Sequence, residues 1–156
     1  MKEILKKELQ KVSQHYKALK EYKEFIESMD FDFSIKSFEK LDVPQRAVLE
    51  AYLKRFASLQ DYLGAKVFKN LLYLAGIGCT KMSEVLTLIE KEGIIDLDRW
   101  IEFRNLRNNL EHDYPDELED GLLDLKYCID SFKEIEYVVI KVFNFAKRYD
   151  ESIFIS

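Results

Sequence analysis

Apolar residues return every three or four positions through most of this chain, and no other feature limits its possible folds so tightly. Leu5, Leu9, Val12, Tyr16, Leu19, Tyr22 and Ile26 form the first such stripe, the signature of a helix with one face turned inward. The spacing predicts a helix over 2–28, with Lys and Glu on its solvated side and His15 beside the stripe in an ordinary surface position. Phe31, Phe33 and Ile35 then alternate with polar residues, and Phe38 and Leu41 follow. The segment 29–43 therefore reads as a strap whose aromatics lie against the helices. Pro44 suits the first turn of a new helix because it lacks the N–H that would be left unpaired there, and Asp42 is placed to cap it. Val48, Leu49, Tyr52, Phe56, Leu59, Leu63, Val67, Leu71 and Leu74 carry that helix over some thirty residues, with Gly64 as a tolerated weak point.

Gly76 and Gly78 end the run. Thr80 is placed to cap a shorter helix whose Met82, Val85, Leu86 and Ile89 face the core, and Gly93 closes it. Asp96 opens the next helix, whose first buried sector holds Leu97, Trp100 and Ile101, and Pro115 should end it because the residue before a proline disfavours helical geometry. A last helix is predicted over 116–149, on Leu118, Leu122, Leu125, Ile129, Phe132, Ile135, Val139 and Phe143. Only 5 Gly and 2 Pro occur in 156 residues, too few for a turn-rich sandwich or barrel. Single stripes can be buried only against one another, so the expected fold is an all-α, antiparallel up-and-down bundle of about four to five helices, one domain over 1–156.

Charge narrows the function. With 24 Lys and Arg against 29 Asp and Glu, the net charge of −5 argues against a protein that coats nucleic acid through bulk positive charge. Two cysteines, Cys79 and Cys128, make no disulfide framework and no Cys-x-x-Cys pair, which fits a reducing cytoplasm. The first eleven residues have no continuous apolar run of the secretory kind. The longest apolar stretch, 71–79, is far short of the roughly 20 residues a membrane helix needs. Nine Tyr and eleven Phe exceed what such a core requires, which suggests aromatic surface buried between subunits.

One segment carries chemistry. Advancing about 100° per residue along the helix that starts at Asp96, the sector begun by Leu97, Trp100 and Ile101 is taken over by Arg104, Arg107, Asn108 and Glu111, while Phe103, Leu106 and Leu110 lie opposite. Charges on a covered stripe need a pocket, a partner chain or each other. Simple pairing of the arginines with Glu111 and nearby acids is the plainest arrangement. Against it stands the grouping of a guanidinium fork, a histidine and a helix end within eight residues, a set able to hold a phosphodiester and move its protons. Arg107 and His112 are five residues apart and point about 140° from each other on an unbroken helix. Either the helix loosens before His112, or two copies meet across a two-fold axis and share the site; we expect both together.

The run Arg107-Asn108-Asn109-Leu110-Glu111-His112-Asp113-Tyr114 resembles the Arg-Asn-x-Leu-x-His-x-Tyr signature of HEPN-domain ribonucleases, specifically the HepT toxins. The match covers eight positions in detail, and the all-helical layout is consistent with that family along the rest of the chain. The resemblance implies a homodimer with a composite site between protomers, cleavage of RNA without a metal or other cofactor, and an MntA-like nucleotidyltransferase antitoxin that adds AMP to the motif tyrosine, here Tyr114. In that scheme a ribose 2′-OH attacks its neighbouring phosphate. His112 serves as general base or acid, Arg107 holds the phosphate, Asn108 orients the histidine or the phosphate, and Arg104 adds positive potential. Tyr114 is expected at the rim, where an attached AMP blocks RNA. The acidic flank, Glu111, Asp113, Asp116, Glu117, Glu119 and Asp120, opposes RNA binding and favours the alternative, a silent HEPN module that binds a nucleotidyltransferase or a nucleotide. A di-metal bundle enzyme is disfavoured because Glu111 and His112 are adjacent, whereas such sites use a Glu-x-x-His spacing.

Overall fold

The computed structural model describes residues 2–114 and 116–153, and every element among them is helical. The first helix, α1, spans Lys2–Ser28, with Leu5, Leu9, Val12, Leu19 and Ile26 buried as the stripe predicts. The strap carries one short helix, α2 (Ile35–Glu39), capped by the Ser34 hydroxyl accepting from the Ser37 N–H. Phe31 and Phe33 pack on each other with ring centroids 4.6 Å apart.

Asp42 caps α3 (Val43–Tyr62) through a reciprocal box: its carboxylate accepts from the Gln45 N–H at 2.8 Å, and the Gln45 side chain accepts from the Asp42 N–H at 3.0 Å. The expected long helix continues, but Gly64 does more than weaken it. Leu63–Val67 widens into a π-helical turn before α4 (Phe68–Leu74) resumes the α-helical pitch. α5 (Met82–Lys91) departs from expectation in two ways. Lys81, not Thr80, occupies its N-cap position, with no side-chain cap bond, and Met82 in the first turn is exposed while Val85, Leu86 and Ile89 are buried. Gly93 closes α5 with φ +76°, and the Ile94 N–H reaches back to the Ile89 carbonyl, the pairing of a left-handed cap.

α6 (Leu97–Asp113) starts at Asp96, whose carboxylate accepts from the Arg99 N–H. The single last helix expected over 116–149 is two: α7 (Leu118–Asp130) and α8 (Phe132–Lys147). They part at Ser131, whose hydroxyl and N–H both donate to the Tyr127 carbonyl, at 2.8 and 3.0 Å. Such back-bonding by a serine turns a helix aside.

Cross-links fix the directions. His15 lies against Arg55 and Glu8 against Asn70, so α1 and the α3–α4 rod are antiparallel. Tyr16 donates to Glu136 at 2.5 Å, and Lys2 reaches the Tyr149 carbonyl, so α1 and α8 are antiparallel too. Tyr114 lies beside Gly121 and Arg99 beside Tyr127, which makes α6 and α7 a hairpin. The described residues form an all-α helical bundle whose buried apolar side chains make one cluster. Among the described residues no helix is long and apolar enough to cross a membrane.

One charge sits badly in this core. Glu8 is buried; its Oε1 accepts from Asn70, whereas its Oε2 has no partner among the described residues. Burial raises its carboxyl above the ordinary value despite the Asn70 hydrogen bond and nearby Lys66 and Lys11. The native state then keeps a proton that the unfolded chain has released, so this group subtracts stability as pH rises past the ordinary carboxylate range. Glu8→Gln should raise the unfolding midpoint at neutral pH by roughly 3 °C, about 1 kcal/mol. The gain should vanish in mild acid, where both side chains are neutral, as pH-dependent thermal unfolding will check.

Candidate functional site

The motif segment is the last two turns of α6, and the buried side of that helix differs from the sequence expectation. Trp100, Phe103, Leu106 and Leu110 are buried, Leu97 is half-buried, and Ile101 is exposed. The covered arc is therefore centred on the Phe103 and Leu110 side, because α6 is wedged between α3 and α7. The apolar stripe does not turn polar halfway; it runs straight on to Tyr114. Arg107 stands on the margin of that arc, half-buried, while Arg104, Asn108, Glu111 and His112 are exposed beyond it.

Arg107 is held from another helix. Its Nη1 donates to Asp61 of α3, and its Nη2 donates to Asn108 Oδ1 at 3.3 Å. Its Nε is buried with no partner among the described residues. Glu111, the expected partner, does not pair with it; Asp61 does. Nothing in the spacing of α6 marks Asp61, because the pairing depends on how two helices distant in sequence are set side by side. His112 belongs to the last turn, and the helix stays regular through Asp113. The expected loosening before His112 does not occur. With the helix intact, Arg107 and His112 diverge by about 140° within one chain.

Tyr114 ends the helix in an extended conformation, φ −92° and ψ 128°, as expected of a residue before proline; Pro115 itself lies outside the described residues. The tyrosine is more covered than a rim position implies. It is 9% exposed, its ring meets Phe38 edge-on at 6.3 Å, and it lines a recess of about 440 Å³ with Glu50, Lys54, Asp61 and Glu111. Burial, helped by Glu50 and opposed by Arg46, pushes its phenol up to about 12. Gly121 of α7 supports it from behind: a Cβ there would lie 3.2 Å from the Tyr114 Cα and Cβ, so α7 can approach this closely only through a glycine. The acidic flank is dense enough to affect itself, since burial and then Asp113 and Asp120 raise the Asp124 carboxyl.

His15 makes a local pairing on a different face. Arg55 Nη1 and His15 Nδ1 are 3.1 Å apart. Burial, then Arg55 and Lys11, lower the imidazole from its ordinary value, so Nδ1 accepts from the guanidinium. Both cysteines are buried and unpaired with each other.

No protein-family model, curated protein sequence or solved structure matches this chain.

The packing of Tyr114 yields a test of its role in the fold. Its hydroxyl has no hydrogen-bond partner among the described residues, so Tyr114→Phe should leave the unfolding midpoint within about 0.5 kcal/mol of wild type. Tyr114→Ala should cost about 3 kcal/mol by opening the contact with Phe38 and Gly121. Denaturant titration of both variants separates the ring's packing from any chemistry at the hydroxyl.

Proposed function

We propose that the protein is a HepT-like endoribonuclease toxin whose active site is completed when two copies meet along α6. The observation that carries this reading is the placement of the motif. Leu106, Leu110 and Tyr114 anchor the segment, Arg107 is half-buried against Asp61 at the edge of that stripe, and Arg104, Asn108 and His112 are exposed beside it. Exposed Ile101 continues the same outer arc as Asn105, Asn108 and His112, which gives a second copy an apolar point of contact. Because Arg107 and His112 diverge on a regular helix, a two-fold arrangement is the way left for both to reach one phosphodiester.

The reaction at such a site balances without a cofactor. His112 from one copy takes the proton of a ribose 2′-OH, and that oxygen attacks the adjacent phosphorus. The bond to the 5′-oxygen breaks, the departing oxygen gains a proton from a histidinium or water, and a 2′,3′-cyclic phosphate remains. Arg107 holds a non-bridging oxygen and offsets the growing negative charge, Asn108 keeps the guanidinium in place through its Oδ1, and Arg104 adds positive potential beside it. DNA has no 2′-OH and is not a substrate. AMP carried by Tyr114 would place a phosphate in competition for Arg107; the high phenol pKa means that an MntA-like antitoxin must supply the base for that transfer.

A second reading, a silent HEPN module that binds a nucleotidyltransferase or nucleotide, is favoured by one contact: Asp61 already neutralises Arg107. Two measurements decide between them. RNA and matched DNA incubated with excess chelator should show cleavage of RNA only, lost in Arg107→Ala and in His112→Ala. Mixing the two inactive variants and allowing exchange should restore about a quarter of the wild-type rate, since half the dimers are mixed and each carries one intact site. No restoration places both groups in one chain, and no cleavage by wild type leaves the silent module. Asp61→Asn should also tighten RNA binding at low salt by roughly fivefold, the equivalent of about 1 kcal/mol for releasing an exposed ion pair.

A further inference from the structure

Cations gather around the ring of Tyr62, on the flank of the α3–α4 rod that faces α1. Lys11 of α1 and Lys66 of the π-helical turn hold Nζ 5.6 and 5.7 Å from that ring's centroid. The His15 imidazole stands 6.4 Å from it, and Arg55 Nη1 lies 3.1 Å from His15 Nδ1. Lys11 and Lys66 are exposed, and Arg55, His15 and Tyr62 are half-buried at the seam between α1 and the rod.

Nothing among the described residues balances these charges. Neither lysine forms an ion pair or hydrogen bond there, and Arg55 gives one of its N–H groups to a neutral imidazole. Lys66 and Lys11 act on the Glu8 carboxyl, but that group is buried, bonded to Asn70 and held above its ordinary value by burial, so it is a weak counter-ion. Like charges held together without a counter-ion repel one another. Acids are not scarce in a chain of net charge −5, and Lys6, Lys23, Arg99 and Lys126 each have one. The cluster around Tyr62 is therefore suited to an anion from outside the chain.

We propose that this cluster holds a backbone phosphate of the RNA strand whose scissile linkage lies at Arg107, as a second contact away from the reacting bond. The identity of the strand rests on the ribonuclease reading; the anion site does not. Tyr62 follows Asp61, the residue paired with Arg107, and the two side chains leave α3 about 100° apart. Ser58 and Ala65, three or four residues from both, are small, so a strand can cross the rod between Arg107 and the cluster. Arg55 has further N–H donors for phosphate oxygens, and the two ammonium groups supply point charge. A ring set among cations suits a nucleic-acid strand, which brings stacking bases with its charge, better than an acidic peptide. One such hold adds affinity to a chain too acidic to follow RNA over a long distance.

A 2′-O-methyl oligonucleotide of about twelve residues cannot be cut by 2′-OH attack, so it measures binding to the intact chain. In anisotropy titrations, Lys11→Gln, Arg55→Gln and Lys66→Gln combined should weaken binding at least about tenfold and lower the slope of log affinity against log salt by about 2. Lys36→Gln, Lys91→Gln and Lys147→Gln combined remove the same charge from exposed positions elsewhere and should weaken it less than about twofold. A second measurement leaves the cluster unchanged and so holds whether or not those variants fold. The chain has two histidines, and His112→Ala leaves His15 as its one imidazole signal in NMR. The oligonucleotide should raise the His15 pKa, because an anion beside Arg55 and Lys11 offsets the charges that hold it down. An unmoved His15 titration, or equal loss in the two combined variants, overturns the cluster. A rise with inorganic phosphate and none with the oligonucleotide, or equal binding of a polyglutamate peptide, overturns the assignment to a strand. Binding through the cluster without cleavage of RNA keeps the site and removes the nuclease. Cleavage of RNA at unchanged KM in the cluster variant does the reverse.

Discussion

The wedging of α6 between α3 and α7 determines everything else about the candidate site. Trp100, Phe103, Leu106 and Leu110 are all buried along one side of that helix, and each large side chain removed from water contributes on the order of 2 kcal/mol. Unwinding the end of α6 to bring Arg107 and His112 together would disrupt that stripe. The helix is therefore fixed about its own axis by its core contacts, and the angle between the two groups follows from helical pitch alone. The composite site proposed above would be the consequence of a well-packed monomer.

The neighbouring rod shows the complementary arrangement. Gly64 sits where α3 passes Trp100, and the helix widens into a π-turn there instead of running straight. A widened turn shifts which residues face inward, and π-turns are often found at functional positions. Here the turn coincides with buried Gln60, with Asp61 on Arg107, and with a recess against the indole. One short stretch of the rod thus meets α6 twice: Asp61 pairs with the Arg107 guanidinium, and Gly64, three residues on, lies against Trp100.

The sequence made some of this legible and hid the rest for physical reasons. The bounds of α1, the Asp42 cap, the Asp96 cap and the closure at Gly93 follow from local chemistry, where a side chain bonds to its own backbone within a few residues. The break at Ser131 was hidden because the apolar period continues across it and only a serine back-bond marks it. Thr80 has the chemistry of a cap, but the chain enters α5 one residue later, at Lys81. The inward arc of α6 is turned away from the sector of Leu97, Trp100 and Ile101: Trp100 stands at its edge, Leu110 falls within it and Ile101 outside, because contacts with α3 and α7 set which side is covered. The motif residues were visible as residue types at a spacing; Asp61 and Gln60 were not, since their bonds to Arg107 and Trp100 exist only once α3 lies against α6. Tyr114 was expected in the open and is packed, because the turn after α6 folds back onto Gly121.

An acidic chain with a few exposed cations at one helix end is suited to short, local contact with a phosphodiester and poorly suited to tracking along RNA. That fits the proposed nuclease, whose affinity would come from two copies closing on one linkage. The most direct measurement is the specific rate of RNA cleavage across a dilution series, with sedimentation of the same samples giving the fraction of paired chains. The account predicts a rate per chain that falls in step with that fraction and reaches zero in folded monomer. Full activity in sedimentation-pure monomer would contradict it, because a regular α6 cannot bring Arg107 and His112 to the same atom.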